Sequence, residues 1–137
     1  MRFSGSIYKE SKFWLAEVPI LEAMTQGLTK KEVFAMVKDL LETLANQPDF
    51  VVTVYPNKDG SFEVGSDDTR TMIRLLLRRQ REKSGLSLTD VAHRLGAKSR
   101  NAYARYERGN SVPTVEKLNE LLQAVSPNHD LVFYQSR

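Results

Sequence analysis

Arg100, Asn101, Arg105 and Arg108 lie in one short stretch, with Lys98 and Ser99 just before it. These residue types suit a single chemistry. An arginine guanidinium presents paired donors that match O6 and N7 of guanine. An asparagine amide presents the donor and acceptor that match N6 and N7 of adenine. Lys98 and Arg105 have the reach and charge for bases or phosphates, and the hydroxyls of Ser87 and Thr89 can donate to phosphate. The candidate contact set is therefore Ser87, Thr89, Lys98, Ser99, Arg100, Asn101, Arg105 and Arg108.

Two short helices joined by a tight turn are needed to hold these groups. Ser87 is placed to cap the first, with Asp90 in its first turn. Val91, Ala92 and Leu95 form its apolar stripe. Gly96 ends it as a residue able to take positive φ. Ser99 caps a second helix over 99–108. Tyr103 and Tyr106 lie three apart on its inner face, and the arginines and Asn101 are left for the outer one. In a helix-turn-helix the second helix enters the major groove with its N-terminal part nearest the bases. The basic residues Arg74, Arg78, Arg79 and Arg81 decorate the preceding helix, expected at 69–83, and suit either added phosphate contacts or a solvated basic face.

This run resembles the lambda-repressor-like (Cro and XRE) DNA-binding family. The resemblance rests on Leu86, Ser87, Ala92, Leu95, Gly96, Glu107, Arg108, Gly109, Pro113 and Thr114. Leu88 stands where the family usually has Gln, and the turn is one residue longer than the family pattern. The resemblance implies binding of double-stranded operator DNA. One such unit contacts few bases, so the expectation is a homodimer, or a higher homo-oligomer, reading two half-sites about 34 Å apart. The C-terminal tail and the N-terminal half are both candidates for what joins the copies.

Charge divides the chain. Residues 1–68 carry 7 Lys and Arg against 11 Asp and Glu, whereas residues 69–137 carry 13 against 6. The basic half suits phosphate and the acidic half a basic partner. There is no cysteine, so disulfides and thiolate metal sites are excluded. No apolar run approaches the length of a membrane span and no signal-peptide pattern is present, so the chain reads as soluble and cytoplasmic.

The acidic half reads as strands over 2–9 and 12–18, with a turn at Glu10 and Ser11. Phe3, Ile7, Phe13, Leu15 and Val18 are the expected inward residues. A short third strand is expected near 23–26, with Gly27 supplying a bend. Thr29 and Glu32 have capping-box spacing, and Val33, Met36, Val37, Leu40, Leu41 and Leu44 make the apolar face of a helix ending near Ala45. Strands follow over 50–55 and 61–65. The fold class is thus an α+β domain at 1–65, a linker at 66–68 where Asp67 or Asp68 caps the next helix, and an all-α domain at 69–137. A last helix runs from Thr114 to about Val125. The tail at 130–135 has strand character, suited to pairing with another chain or packing on that helix.

No catalytic constellation emerges. Glu10, Glu17, Glu22, Glu32, Asp39 and Glu42 show no ligand spacing. His93 and His129 stand far apart, and there is no glycine-rich phosphate loop. The expectation is a chain that is not an enzyme and holds no cofactor or metal.

Val18, Pro19, Thr25, Gly27, Thr29 and Glu32, with a hairpin before them and a long amphipathic helix after, resemble the HicB antitoxin family. Leu21, Glu22, Ala23 and Met24 stand where that family has Pro-Gly-Cys, and Leu28 replaces its acidic residue. The resemblance implies a degenerate RNase-H-like fold (β-β-β-α-β) that shields a HicA-type toxin, a small basic ribonuclease. It also implies that the DNA-binding half represses the shared operon, making the chain the antitoxin of a type II toxin-antitoxin system. Two alternatives stand beside it: a repressor whose first domain senses a ligand or only oligomerises, and an adaptor that no longer binds DNA.

Overall fold

The computed structural model describes residues 1–136. The chain divides into two compact units, Met1–Leu76 and Leu77–Arg137.

The first unit is a five-stranded antiparallel sheet covered by a helix. β1 (Arg2–Glu10), β2 (Phe13–Val18) and β3 (Ala23–Gly27) form a meander. α1 (Lys30–Ala45) follows, and then the hairpin of β4 (Thr53–Pro56) and β5 (Ser61–Gly65). The sheet order is β3-β2-β1-β5-β4. Its central pairing is non-local: β5 docks on β1 with Phe3 opposite Val64 and Gly5 opposite Phe62. The β1–β2 turn is Ser11 and Lys12, one residue later than expected, because Glu10 pairs with Phe13. Ser11 takes a left-handed conformation there, φ 56°.

Register decides which side chains face α1, because successive residues of a strand point to opposite faces. Phe3, Ile7, Ala16, Val18, Phe62 and Val64 share one face. Phe34 of α1 meets Phe62 edge-on there, with ring centroids 5.6 Å apart. Phe13 and Leu15 were expected inward but lie on the opposite face, where Leu15 pairs with Tyr8. Their odd numbers match Phe3 and Ile7, but the two-residue hairpin inverts parity between β1 and β2.

Helix α1 starts as the sequence suggests, with Thr29 Oγ1 accepting from the Glu32 amide at 3.0 Å. It buries Val33, Val37, Leu41 and Ala45, while Met36 is exposed. Gly27 makes no bend. It is the last residue of β3, and a Cβ there would stand 2.7 Å from the Val33 nitrogen. Glycine lets the first turn of α1 press directly on the strand.

Strand β4 begins at Thr53, not at Phe50. It is an edge strand, and Thr53 already pairs with Gly65, the end of β5. Residues 50–52 have no ladder to join, although Phe50 and Val52 are buried. Pro56 is tolerated because an edge strand does not need its amide.

The helix α2 (Thr69–Lys83) follows, and the division between the units falls inside it, later than the expected linker at 66–68. Its first two turns bury Met72, Ile73, Leu75 and Leu76. Asp68 caps it, its carboxylate accepting from the Thr71 amide at 3.0 Å and the Thr71 hydroxyl at 2.6 Å.

The second unit is helical: the end of α2, then α3 (Leu88–Arg94), α4 (Asn101–Glu107) and α5 (Val115–Val125). Leu77, Val91, Ala92, Tyr103, Ala104, Tyr106, Leu118, Leu121 and Val125 are buried. Residues 131–136, given strand character by sequence, are in neither helix nor strand.

Candidate nucleic-acid interface

The turn between α3 and α4 sets the geometry of the candidate contact set. Ser87 Oγ accepts from the Asp90 amide at 3.0 Å, and Asp90 Oδ2 accepts from the Ser87 amide at 2.8 Å. This is a complete capping box, stronger than the electrostatic role expected of Asp90. It holds the Asp90 carboxyl below the usual carboxylate range, chiefly through the Ser87 amide. At the far end the Ala97 amide donates to the Ala92 carbonyl at 2.9 Å and the Gly96 amide to His93 at 3.0 Å. That pairing needs a left-handed residue, and Gly96 supplies it with φ +73°.

The second helix is shorter than expected. α4 begins at Asn101, and Ser99 Oγ accepts from the Asn101 amide at 3.2 Å. Arg100 stands at the very start of the helix, already in helical conformation with φ −58°. Tyr103, Ala104 and Tyr106 turn inward and are buried.

All eight candidates, Ser87, Thr89, Lys98, Ser99, Arg100, Asn101, Arg105 and Arg108, are exposed. Asn101, Arg105 and Arg108 share one face of α4 at helical spacing, with Arg100 and Lys98 just before its first turn. Among the described residues, the side chains of Lys98 and Arg100 make no hydrogen bond or ion pair. Arg108 Nη1 reaches Asn101 Oδ1 at 3.5 Å. Arg105 folds over Tyr106, its guanidinium 5.0 Å from the ring centroid and Nη2 3.2 Å from the hydroxyl.

Sequence reasoning missed the pair that holds this helix. Arg81 of α2 donates through Nε to both oxygens of Glu107, at 3.1 and 2.9 Å, and through Nη1 to the Leu86 carbonyl at 2.9 Å. The side chains are only 16 % and 7 % exposed. Arg81 is therefore structural, a correction to its expected role at phosphate. The pairing also neutralises the only acid of α4, so the charges left on its outer face are basic. A lone glutamate in a basic helix was the one available signal. Of the other α2 arginines, Arg78 and Arg79 pair with Glu82 at 2.9 and 3.5 Å, and Arg74 Nη1 donates to Gln47 Oε1 at 2.8 Å.

Further ties brace the scaffold. Arg94 Nη1 donates to the Ala124 carbonyl at 3.1 Å and Ser84 Oγ to the Val125 carbonyl at 2.5 Å. Among the described residues there is no cluster of acids and histidines able to hold a metal ion. No helix there is long and apolar enough to cross a membrane.

No curated protein matched the chain. Residues 77–125 match the helix-turn-helix family model. A capped first helix, a glycine turn and a second helix with an exposed cationic face occupy that stretch, so this part of the chain is a helix-turn-helix domain of the kind through which transcription regulators bind double-stranded DNA.

Proposed function

We propose that the chain is an antitoxin that also represses its own operon. Its first unit would neutralise a small basic ribonuclease of the HicA type, and its second would hold operator DNA. One observation carries the first half of this reading. The sheet face opposite α1 presents Tyr8 and Met24, 40 % and 53 % exposed, while Tyr55 on that face is stacked under the Arg2 guanidinium, 3.4 Å from its ring centroid. Phe13 and Leu15 lie half-buried on the same face, with Glu10 and Glu17 beside them. Apolar area with an acidic rim suits a basic protein partner. The acidic balance of residues 1–68 supports the same choice.

The alternative, a ligand-sensing repressor, would draw on a concave site in the first unit, whereas the feature just described is an open face. A growth assay separates the two. The small open reading frame beside this one is expressed alone, with the full chain, and with the full chain carrying Glu10→Lys and Glu17→Lys. Growth arrest, rescue by the chain and loss of rescue in the variant, with repression intact, is the expected pattern. A harmless neighbour, or undiminished rescue by the variant, counts against the antitoxin reading and leaves a DNA-binding regulator.

A further inference from the structure

Trp14 is half-buried at one corner of the sheet, opposite Lys9 of β1 and Gly27 of β3. The Lys9 ammonium lies 5.9 Å from its ring centroid. The ammonium of Lys30, the first residue of α1, lies 4.9 Å from it. Both are within cation–π reach. Lys31 follows Lys30, and Lys12 lies in the hairpin turn just before Phe13 and Trp14.

These lysines gather against the charge of their own unit. Residues 1–68 hold seven Lys and Arg against eleven acids, yet four of the seven are Lys9, Lys12, Lys30 and Lys31. All four are exposed, and among the described residues their ammonium groups form no ion pair. Arg2 and Lys38 of the same unit do pair, with Glu63 and Glu42. Like charges gathered without counter-charges repel one another. The positive end of the 16-residue helix α1 adds to the same potential.

We propose that this corner binds single-stranded RNA, with one base stacked on Trp14 and the neighbouring phosphates held by Lys9, Lys12, Lys30 and Lys31. An aromatic ring among unpaired cations is what a single strand calls for: the ring takes any base by its π-face, and the cations track the backbone. Lysine carries a mobile point charge on a flexible stem, so the two ammoniums over the ring can move to phosphates and free it for a base. An acidic peptide would use the lysines but leave the ring without a matching group. The choice of RNA rests on the antitoxin reading, because a chain that shields a ribonuclease meets that enzyme's substrate. Trp14 shares the α1 side of the sheet with Ala16 and Val18, whereas the face assigned to the ribonuclease is the opposite one. The two sites are therefore distinct.

Trp14 is the single tryptophan, so its fluorescence reports this site alone. Oligouridylate titrated into the full chain should quench it saturably. Lys30→Glu combined with Lys31→Glu should weaken that binding about tenfold or more and flatten its salt slope by about 0.7 for each lysine removed. Both glutamates fall in the first turn of α1, where the helix dipole favours them, so the fold should survive and duplex DNA binding should be unchanged. With labelled oligouridylate, Trp14→Ala should bind about tenfold more weakly and Trp14→Phe nearly as well as the unmodified chain. Absence of quenching, an undiminished glutamate variant, or undiminished binding by Trp14→Ala would overturn the proposal. Saturation by oligodeoxyuridylate and not by oligouridylate would also overturn it, by making the occupant DNA. The titration involves neither a toxin nor growth, so this site and the antitoxin reading fail separately.

Discussion

Arg81 and Glu107, 26 positions apart, join the helix before the helix-turn-helix to its recognition helix through two contacts of 3.1 and 2.9 Å. The arginine also satisfies the Leu86 carbonyl, so one guanidinium braces α2, the loop before α3 and α4. Glu107 holds the Arg81 guanidinium, a group charged across the usable pH range in any case, still further above its ordinary pKa.

Removing one member of this pair leaves the other charge largely shielded from water and without the partner that neutralises it. Arg81→Ala is expected to cost the second unit about 3 kcal/mol. Arg81→Met combined with Glu107→Leu should cost clearly less than either single truncation. Urea unfolding followed by helix content measures both. A loss in the double variant equal to the sum of the two single losses would mean that the pair is not coupled.

Tyr103 lies beside that pair. Its hydroxyl is buried against the Glu107 carboxylate without a well-aligned hydrogen bond, and burial first, then that carboxylate, push its pKa far above the ordinary phenol value. An unpaired buried hydroxyl costs stability, so Tyr103→Phe should be neutral or stabilising by up to about 1 kcal/mol. Tyr103→Ala should instead cost about 3–5 kcal/mol through the cavity it leaves. Marked destabilisation by Tyr103→Phe would show that the hydroxyl has a partner such as a buried water.

The outer face of α4 yields a prediction that separates two kinds of contact. Arg100→Ala and Asn101→Ala should each weaken operator binding by about 1–3 kcal/mol and relax preference at single bases. Lys98→Ala should weaken all sequences alike and reduce the salt slope by about one unit. Titrations of operator and random duplex at several salt concentrations would tell them apart. If all three changes act equally on both duplexes, base readout lies elsewhere.

Asp68 gives the first unit an acid limit. Its carboxyl is held below the usual range, first by the Thr71 hydroxyl and then by the Thr71 amide. The unfolded chain binds that proton more readily than the folded one. The stabilisation is therefore complete above the unfolded value of about 3.9 and is lost as pH falls through the lowered folded value. Acid unfolding followed by Trp14, the single tryptophan, should begin at higher pH in the less stable Asp68→Asn. A profile identical to that of the unmodified chain would deny the cap any part in stability.

Local chemistry was legible in the residues themselves. Ser87 and Asp90 are three apart, which a helix start turns into a capping box. Gly96 is where the chain needs positive φ, and Thr29 with Glu32 marked the start of α1. Such features are decided within one turn of backbone, so they are written in short-range sequence. Tertiary structure decided what depends on distant partners. The docking of β5 on β1, the turning of Phe13 and Leu15 to the open face, the close approach behind Gly27 and the pairing of Arg81 with Glu107 each need the chain to return from afar. A one-residue change of hairpin register reverses every side chain beyond it, and two charges meet only if two helices cross at that point. Neither quantity is carried by the spacing of residues along one segment.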